Sequence, residues 1–391
     1  MKKRFIFIPL AILISIASIL VLACKHPLGA GIQLKKYGND TVDTVDTVDK
    51  EKPLYPDSTK ITVFTNQHII PAITVTSNNT IIAAVGDRST KGKILIKKSK
   101  DLGKTWEEVT VETDTDFNNC HVHPFFITAH NNDILLGLAT TNKNNNKVTF
   151  HRSKDNGETW VKNNKSITAS TGNNANAFVT YGNGVTLRHG RNGKFKLLFS
   201  YFYLDNQNKA NIYNIVSTDN GENWDSFGNK IGTFTGVTKG KALEIEDGSI
   251  LYFLNLNGTN NIRQFAWAKS TDCGETFSSS QNYTNSPFTK DYPRAFDFCR
   301  YEFNGNDISE AQYVLATFSE KDTYKVMMST DDFNKGVKGT KVLGNKAKEL
   351  GKSTNDIYPA ITVLKDGTIC TLAAENGYIV FRRFNLAWLE Q

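Results

Sequence analysis

The sequence predicts an all-β fold, a six-bladed β-propeller with four-stranded antiparallel blades, and two observations carry that reading. The first is a succession of short strands. From about Lys60 onward, segments such as ITVFT, AITVT, TIIAAV, KLLFSYF, SILYFL, YVLATF and YIVFRRF are rich in β-branched and aromatic residues. Turn clusters such as SNN, HNND, EDG and KDG separate them, and no stretch shows sustained helical periodicity. The second is a repeat. SKDLGKTW at 99–106 returns as SKDNGETW at 153–160, STDNGENW at 217–224, STDCGETF at 270–277 and a worn STDDF at 329–333. The copies start 54, 64, 53 and 59 residues apart, a period that holds about four strands with their turns, which is one propeller blade. Five visible copies with flanking strands at both ends make six blades, the last closed by strands from the two termini.

Each residue of the motif has a structural task. The Ser or Thr and the Asp can hydrogen-bond backbone N–H groups of a tight hairpin turn. The Gly supplies the positive φ that such a turn demands. The terminal Trp or Phe is a large apolar plug for the gap between neighbouring sheets. These are turn staples, one per blade, and no chemistry is assigned to them.

Residues 1–23 have the grammar of a signal peptide. Lys2, Lys3 and Arg4 form a positive start, an apolar run reaches Leu22, and VLAC follows at 21–24. Small residues before a cysteine resemble a bacterial lipobox, which implies cleavage at Cys24 and its acylation. Residues 24–59, with DTVDTVDTVDKEK, lack the apolar mass to pack and read as a flexible tether. The propeller then takes 60–391, and the protein is expected as an exported, membrane-anchored lipoprotein at the cell surface or in the periplasm.

The whole chain carries a net charge of +7, but its basic residues are scattered and none form a block interleaved with aromatics, which excludes nucleic acid as the partner. A mildly basic surface suits anionic ligands. Cys120, Cys273, Cys299 and Cys370 show no metal-binding spacing and read as buried or half-buried free thiols. His121 and His123 in CHVHPFF are read as structural. No metal or cofactor is expected, and the propeller is expected to be a monomer.

The series S-x-D-x-G-x-T-W is the Asp-box, or BNR repeat, and with the end segments it resembles the bacterial exo-α-sialidases (neuraminidases). DIYPAITVLKDGTICTLAAENGYIVFRRFNLAWL at 356–389 is similar to their closing segment, and HIIPAITVTSNNTIIAAVGDRS at 68–89 to their opening one. GNGVTLRHGRNGKFKLLF at 182–199 and EIEDGSILYFL at 244–254 resemble inner blades. The resemblance implies a site at the central channel, where three arginines grip the sialic acid carboxylate, a Tyr paired with a Glu is the nucleophile and an Asp is the acid/base. Tyr358 lies where the nucleophile is expected, Glu375 where a Glu orients the first arginine, and Arg88 where an arginine supports the pocket.

The motifs also depart from the pattern. Ile69 stands where the first arginine belongs, and Lys239 where the Glu partner of the Tyr belongs. Asn255 or Asn257 occupies the second arginine position, and Lys321 is the nearest cation to the third. Asp87 is the carboxylate closest to the acid/base position. Lys239 and Lys321 can attract a carboxylate, as point charges without the bidentate fork of arginine. The resemblance therefore implies a retaining exo-α-sialidase acting on terminal sialic acids of glycoconjugates, with impaired catalysis. The alternative is a surface lipoprotein that binds sialylated or other anionic glycans without turnover, and a third is a scaffold that engages host protein.

Overall fold

The structure, a computed structural model, describes residues 52–391 with internal breaks, of which the longest are 113–121, 283–294, 303–312 and 330–346. The signal peptide and Cys24 lie outside the described residues, as does Cys120. The first strand, β1 (Ile61–Phe64), does not begin a blade but completes the last one.

Blade 1 follows as β2 (Ile69–Val75), β3 (Ile81–Gly86), β4 (Ile94–Ser99) and β5 (Glu107–Val109). Blade 2 is β6 (Val122–Thr128), β7 (Ile134–Thr140) and β8 (Lys147–Ser153), with its fourth strand split into β9 (Val161–Lys162) and β10 (Ile167–Thr168). In blade 3 the first strand is split, as β11 (Ala177–Val179) and β12 (Val185–Thr186), before β13 (Leu197–Leu204), β14 (Lys209–Ser217) and β15 (Lys230–Thr235). Blade 4 is β16 (Val237–Glu244), β17 (Ile250–Asn257), β18 (Arg263–Ser270) and β19 (Gln281–Asn282). Blade 5 is β20 (Phe296–Arg300), β21 (Val314–Glu320), β22 (Thr323–Ser329) and β23 (Lys348–Lys352). Blade 6 is β24 (Ala360–Val363), β25 (Ile369–Glu375) and β26 (Tyr378–Phe384), and β1 pairs antiparallel with β26, Ile61 opposite Phe381. The ring of six four-stranded antiparallel blades is closed by the two ends of the chain, as the sequence predicts.

The blades pack face to face, so their central strands are buried on both faces and read as near-continuous apolar runs rather than alternating ones. ILLGLAT in β7 is buried at every position. Large rings fill the gaps between blades. Phe125, Phe150 and Phe199 join blades 2 and 3, and Phe253, Phe296 and Phe298 join blades 4 and 5. The domain also starts earlier than the expected boundary at residue 60. Asn385, which caps the short helix α1 (Leu386–Leu389), accepts the Leu54 N–H at 2.9 Å and donates to Lys52 O at 2.7 Å. Thr59 donates to Arg383 O at 2.7 Å. Residues 52–59 thus lie on blade 6 because polar groups there satisfy their backbone. Among the described residues no helix is long and apolar enough to cross a membrane.

The staples are built as their sequence implies. Ser99 donates to Asp101 Oδ1 at 2.8 Å and accepts the Gly103 N–H at 2.8 Å. Asp101 Oδ1 also accepts the Thr105 N–H at 2.9 Å, and its Oδ2 accepts the Thr105 hydroxyl at 2.7 Å. The same pattern recurs at Ser153–Asp155–Gly157–Thr159 and at Ser270–Asp272–Gly274–Thr276. Gly103 has φ 84°, and a Cβ there would stand 2.2 Å from the Phe381 ring. Trp106 meets that same ring edge-on at 5.4 Å across blades 6 and 1, and Trp224 stacks on Phe150 at 4.6 Å across blades 2 and 3. Trp160 packs against the cluster of blades 1 and 2, while Phe277 is half-buried. Cys273, Cys299 and Cys370 are free thiols, the first and last buried.

Burial would raise the Asp101 carboxyl, but the bonds from Thr105, Ser99 and Lys104 outweigh it and hold the group at about 2. Equivalent bonds overcome the same burial effect and lower Asp155 and Asp219. A carboxyl lower in the folded state than its unfolded value of about 3.9 stabilises the fold above that pH and loses the contribution as pH falls through the folded value. Unfolding free energy measured in urea should therefore drop between about pH 4 and pH 2. Asp155→Ala should cost about 1–3 kcal/mol at neutral pH and flatten part of that acid slope. An unchanged slope in the variant would remove the staple from the account.

Candidate functional site

The inner strands are β2, β6, β11 with β12, β16, β20 and β24. Neighbours among them approach one another around the ring, from β2 to β6 and on to β24, which returns to β2. All run in the same direction along the central channel, so the channel has two different mouths. The turns after the first and third strands of each blade lie at the end where the inner strands finish, and the Asp-boxes are therefore at that lower mouth. The starts of the inner strands and the turns after the second strands surround the upper mouth.

This topology draws the sequence candidates toward the upper end from positions nearly three hundred residues apart. Tyr358 lies two residues before the start of β24 and is half-buried. Asp87 follows β3, is buried, and donates its N–H to Lys93 O at 2.9 Å. Lys239 lies near the start of β16, opposite Asn255 of β17, which is buried. The side chains of Ile69, Lys239 and Asn257 lie outside what the structure describes, and so do Arg88 and Lys321.

Beside Ile69 the backbone is unusual. Ile70 has φ 59°, and the β2–β3 register shifts between Ile69 and Ala72. A β-branched residue in the left-handed region costs roughly 1–2 kcal/mol. The bulge releases β2 from its ladder and re-aims the chain at the mouth.

Glu375 sits at the same end, on the second strand of blade 6, and its partners are described. Its carboxylate is held by Arg382, through Nη1 to Oε1 and through Nη2 to Oε2 at 3.2 Å, and Lys60 Nζ approaches Oε2 at 3.2 Å. Arg382 Nη1 also donates to the Tyr324 hydroxyl at 2.5 Å. Burial pushes the Tyr324 phenol well above its ordinary pKa, so it stays protonated. This cluster binds blade 5 to blade 6 and to the segment leading into β1.

Halfway down the channel a second polar cluster crosses from blade to blade. Asn183, between β11 and β12, donates to Ile73 O of blade 1 at 2.7 Å and accepts the Phe126 N–H of blade 2 at 3.1 Å. Its carbonyl accepts Lys241 Nζ of blade 4 at 2.5 Å. Lys241 pairs with Asp297 of blade 5 at 3.0 Å, and Asp297 Oδ2 accepts the Ile361 N–H of blade 6 at 3.1 Å. Gly182, at φ 83°, leaves room for the pair, since a Cβ there would lie 2.4 Å from Asp297 Oδ1. All six blades are tied into one girdle that divides the channel into an upper and a lower part.

The girdle leaves only two traces in the sequence, a lone carboxylate between two phenylalanines in AFDFC and a lone lysine beside apolar residues in KALEI. Among the described residues no group of three or more His, Cys, Asp or Glu is placed to hold a metal ion.

A closed six-bladed ring with Asp-boxes at the lower mouth and a tyrosine at the upper one is the sialidase-like propeller. The chain belongs to the family described as BNR repeat-like domain, which residues 56–353 match. Among solved structures it is similar to the Hadza microbial sialidase Hz136, at 19% identity and TM-score 0.61, covering 81% of this chain and 65% of that one. It is similar to the intramolecular trans-sialidase from Ruminococcus gnavus, at 14% identity and TM-score 0.63, covering 86% and 99% of the two chains. The Trypanosoma rangeli sialidase matches at 15% identity and TM-score 0.60, covering 83% of this chain and 56% of that one. No curated protein matches the chain.

Proposed function

We propose that the protein is a sialidase-family glycoside hydrolase that acts on terminal sialic acids of glycoconjugates at the upper mouth of the channel, with slow turnover. The observation that carries this reading is the position of Tyr358, half-buried just ahead of the innermost strand of blade 6, in a fold shared with sialidases. The anomeric carbon of a sialic acid bears a carboxylate, and a neutral phenol approaches it with less repulsion than a second carboxylate would. Tyr358 Oη attacks that carbon and loses its proton to solvent water while Asp87 gives its own proton to the departing glycosidic oxygen. Water, deprotonated by Asp87, then displaces the Tyr358 oxygen, which regains a proton, and the sugar leaves with retention. Arg88, Lys239 and Lys321 draw the substrate carboxylate in.

Turnover is slow for two reasons. Ile69 and the asparagines supply no guanidinium where the family grips the carboxylate. A phenol with an ordinary pKa of about 10 also needs a base, and Lys239 cannot accept a proton while charged. Those same replacements favour a second reading, a propeller that binds sialylated or other anionic glycans without hydrolysing them. The commitment of both Glu375 oxygens to Arg382 and Lys60 adds to it.

The test is release of a fluorophore from a sialic acid glycoside, with glucuronide and hexosaminide controls. Slow release by the wild type and none by Tyr358→Phe is the expected result. Robust release that survives Tyr358→Phe would remove Tyr358 from the chemistry. Glycan binding without release would select the second reading.

A further inference from the structure

The lower part of the channel forms a cavity that the proposed chemistry does not use. Below the girdle it opens on the same face of the ring as the Asp-boxes, as a cup of about 600 Å³, within the roughly 300–1,000 Å³ of small-molecule sites. The girdle is its floor, since Asn183, Lys241 and Asp297 all line it. Each blade lends the end of its inner strand or the turn beyond: Ser77, His130, Arg188, Glu244, Arg300 and Lys365, in order around the ring.

Three features set the chemistry of an occupant. Thr74, Thr128 and Thr362 line the wall with Ser77, a polar lining that suits a ligand rich in hydroxyl groups and opposes an apolar one. Cations prevail over carboxylates: Lys241 and Asp297 neutralise each other, which leaves Arg188, Arg300 and Lys365 against Glu244 and Glu302. Two of the cations also face open space. Among the described residues Arg188 meets Glu302 through Nη1 alone, at 2.7 Å, and its side chain is 44% exposed. Lys365 is exposed and forms no ion pair among the described residues. Blades 3 and 6 are opposite in a ring of six, so these two side chains reach a ligand from opposite sides. His130 lies between, kept neutral near pH 7 because burial and the Arg188 charge lower its pKa.

We propose that the lower cup binds a small hydroxylated anion of the sugar-acid class, held by Arg188 and Lys365 against the threonine wall. The site is independent of the upper mouth, because the girdle separates them. Glucuronic acid titrated calorimetrically into the intact propeller tests it, with glucose and inorganic phosphate as the other arms. Glucuronate should bind, glucose should bind at least tenfold more weakly, and phosphate should fall below glucuronate for want of hydroxyl contacts. Arg188→Ala and Lys365→Ala should each weaken glucuronate about tenfold while melting as the wild type does. Tyr358→Phe, at the other mouth, should leave the affinity unchanged.

No glucuronate binding, or equal affinity in both cation variants, would overturn the site. Phosphate binding as tight as glucuronate would overturn the sugar-acid class. Loss of binding in Tyr358→Phe would place the ligand at the upper mouth instead. The sialoside assay can fail without affecting any of these outcomes.

Discussion

Glu375→Ala is expected to lower the unfolding free energy by about 3–5 kcal/mol, the cost of breaking a buried ion pair from one side. The side chains of Arg382 and Glu375 are 2% and 6% exposed. Without the carboxylate, a guanidinium that cannot be deprotonated stays buried. Its remaining described partners are the neutral Tyr324 hydroxyl, which lies within the same buried cluster, and the exposed Asp57 at 3.7 Å. Lys60 loses its partner at the same time, which loosens the segment that leads into β1 and hence the closure of the ring. Glu375→Gln keeps a hydrogen-bond acceptor and should cost less than alanine. Urea unfolding followed by tryptophan fluorescence measures both. A loss below about 1 kcal/mol for Glu375→Ala would mean that the cluster does not hold blade 6 in place, because surface pairs reach only that level.

What the sequence disclosed, and what it concealed, divide along a physical line. The Asp-boxes could be read because each is local. Ser, Asp, Gly and Thr interact within six residues, and the bonds from Ser99 to Thr105 follow from that spacing alone. The closure of the ring could also be read, because a propeller with strands at both ends has few other ways to pair β1. The contact of residues 52–59 with blade 6 is not legible, since the bond between Leu54 and Asn385 joins residues 331 apart. The girdle was hidden for the same reason. Asn183, Lys241 and Asp297 belong to three blades, and only the curvature of the ring brings them together. The upper mouth falls between these cases. Tyr358, Asp87 and Lys239 stand out in the sequence because their segments resemble those of a family, and strand direction places them at one end. Glu375 carries the same resemblance, but its contacts with Arg382 and Lys60 are visible only once blades 5 and 6 are side by side.

The girdle gives the second large effect. Asp297→Ala should destabilise by about 3–5 kcal/mol, because Lys241 keeps its charge with its side chain only 5% exposed. Two backbone donors, the N–H groups of Phe298 and Ile361, lose their acceptor as well. The Ile361 bond joins blade 5 to blade 6, so its amide hydrogen should exchange with solvent faster in the variant, while amides in β7 of blade 2 keep wild-type protection relative to global stability. Asp297→Asn leaves an oxygen for Ile361 and should lose less. The decisive comparison is the double variant Lys241→Met with Asp297→Leu. Burying a charge pair costs desolvation that its attraction only partly repays, so replacing both partners with apolar groups should cost far less than the sum of the two single changes. Additive losses in that cycle would mean that the two side chains act separately. A small loss in Asp297→Ala with unchanged exchange at Ile361 would mean that packing between the blades, and not the polar girdle, sets the width of the channel.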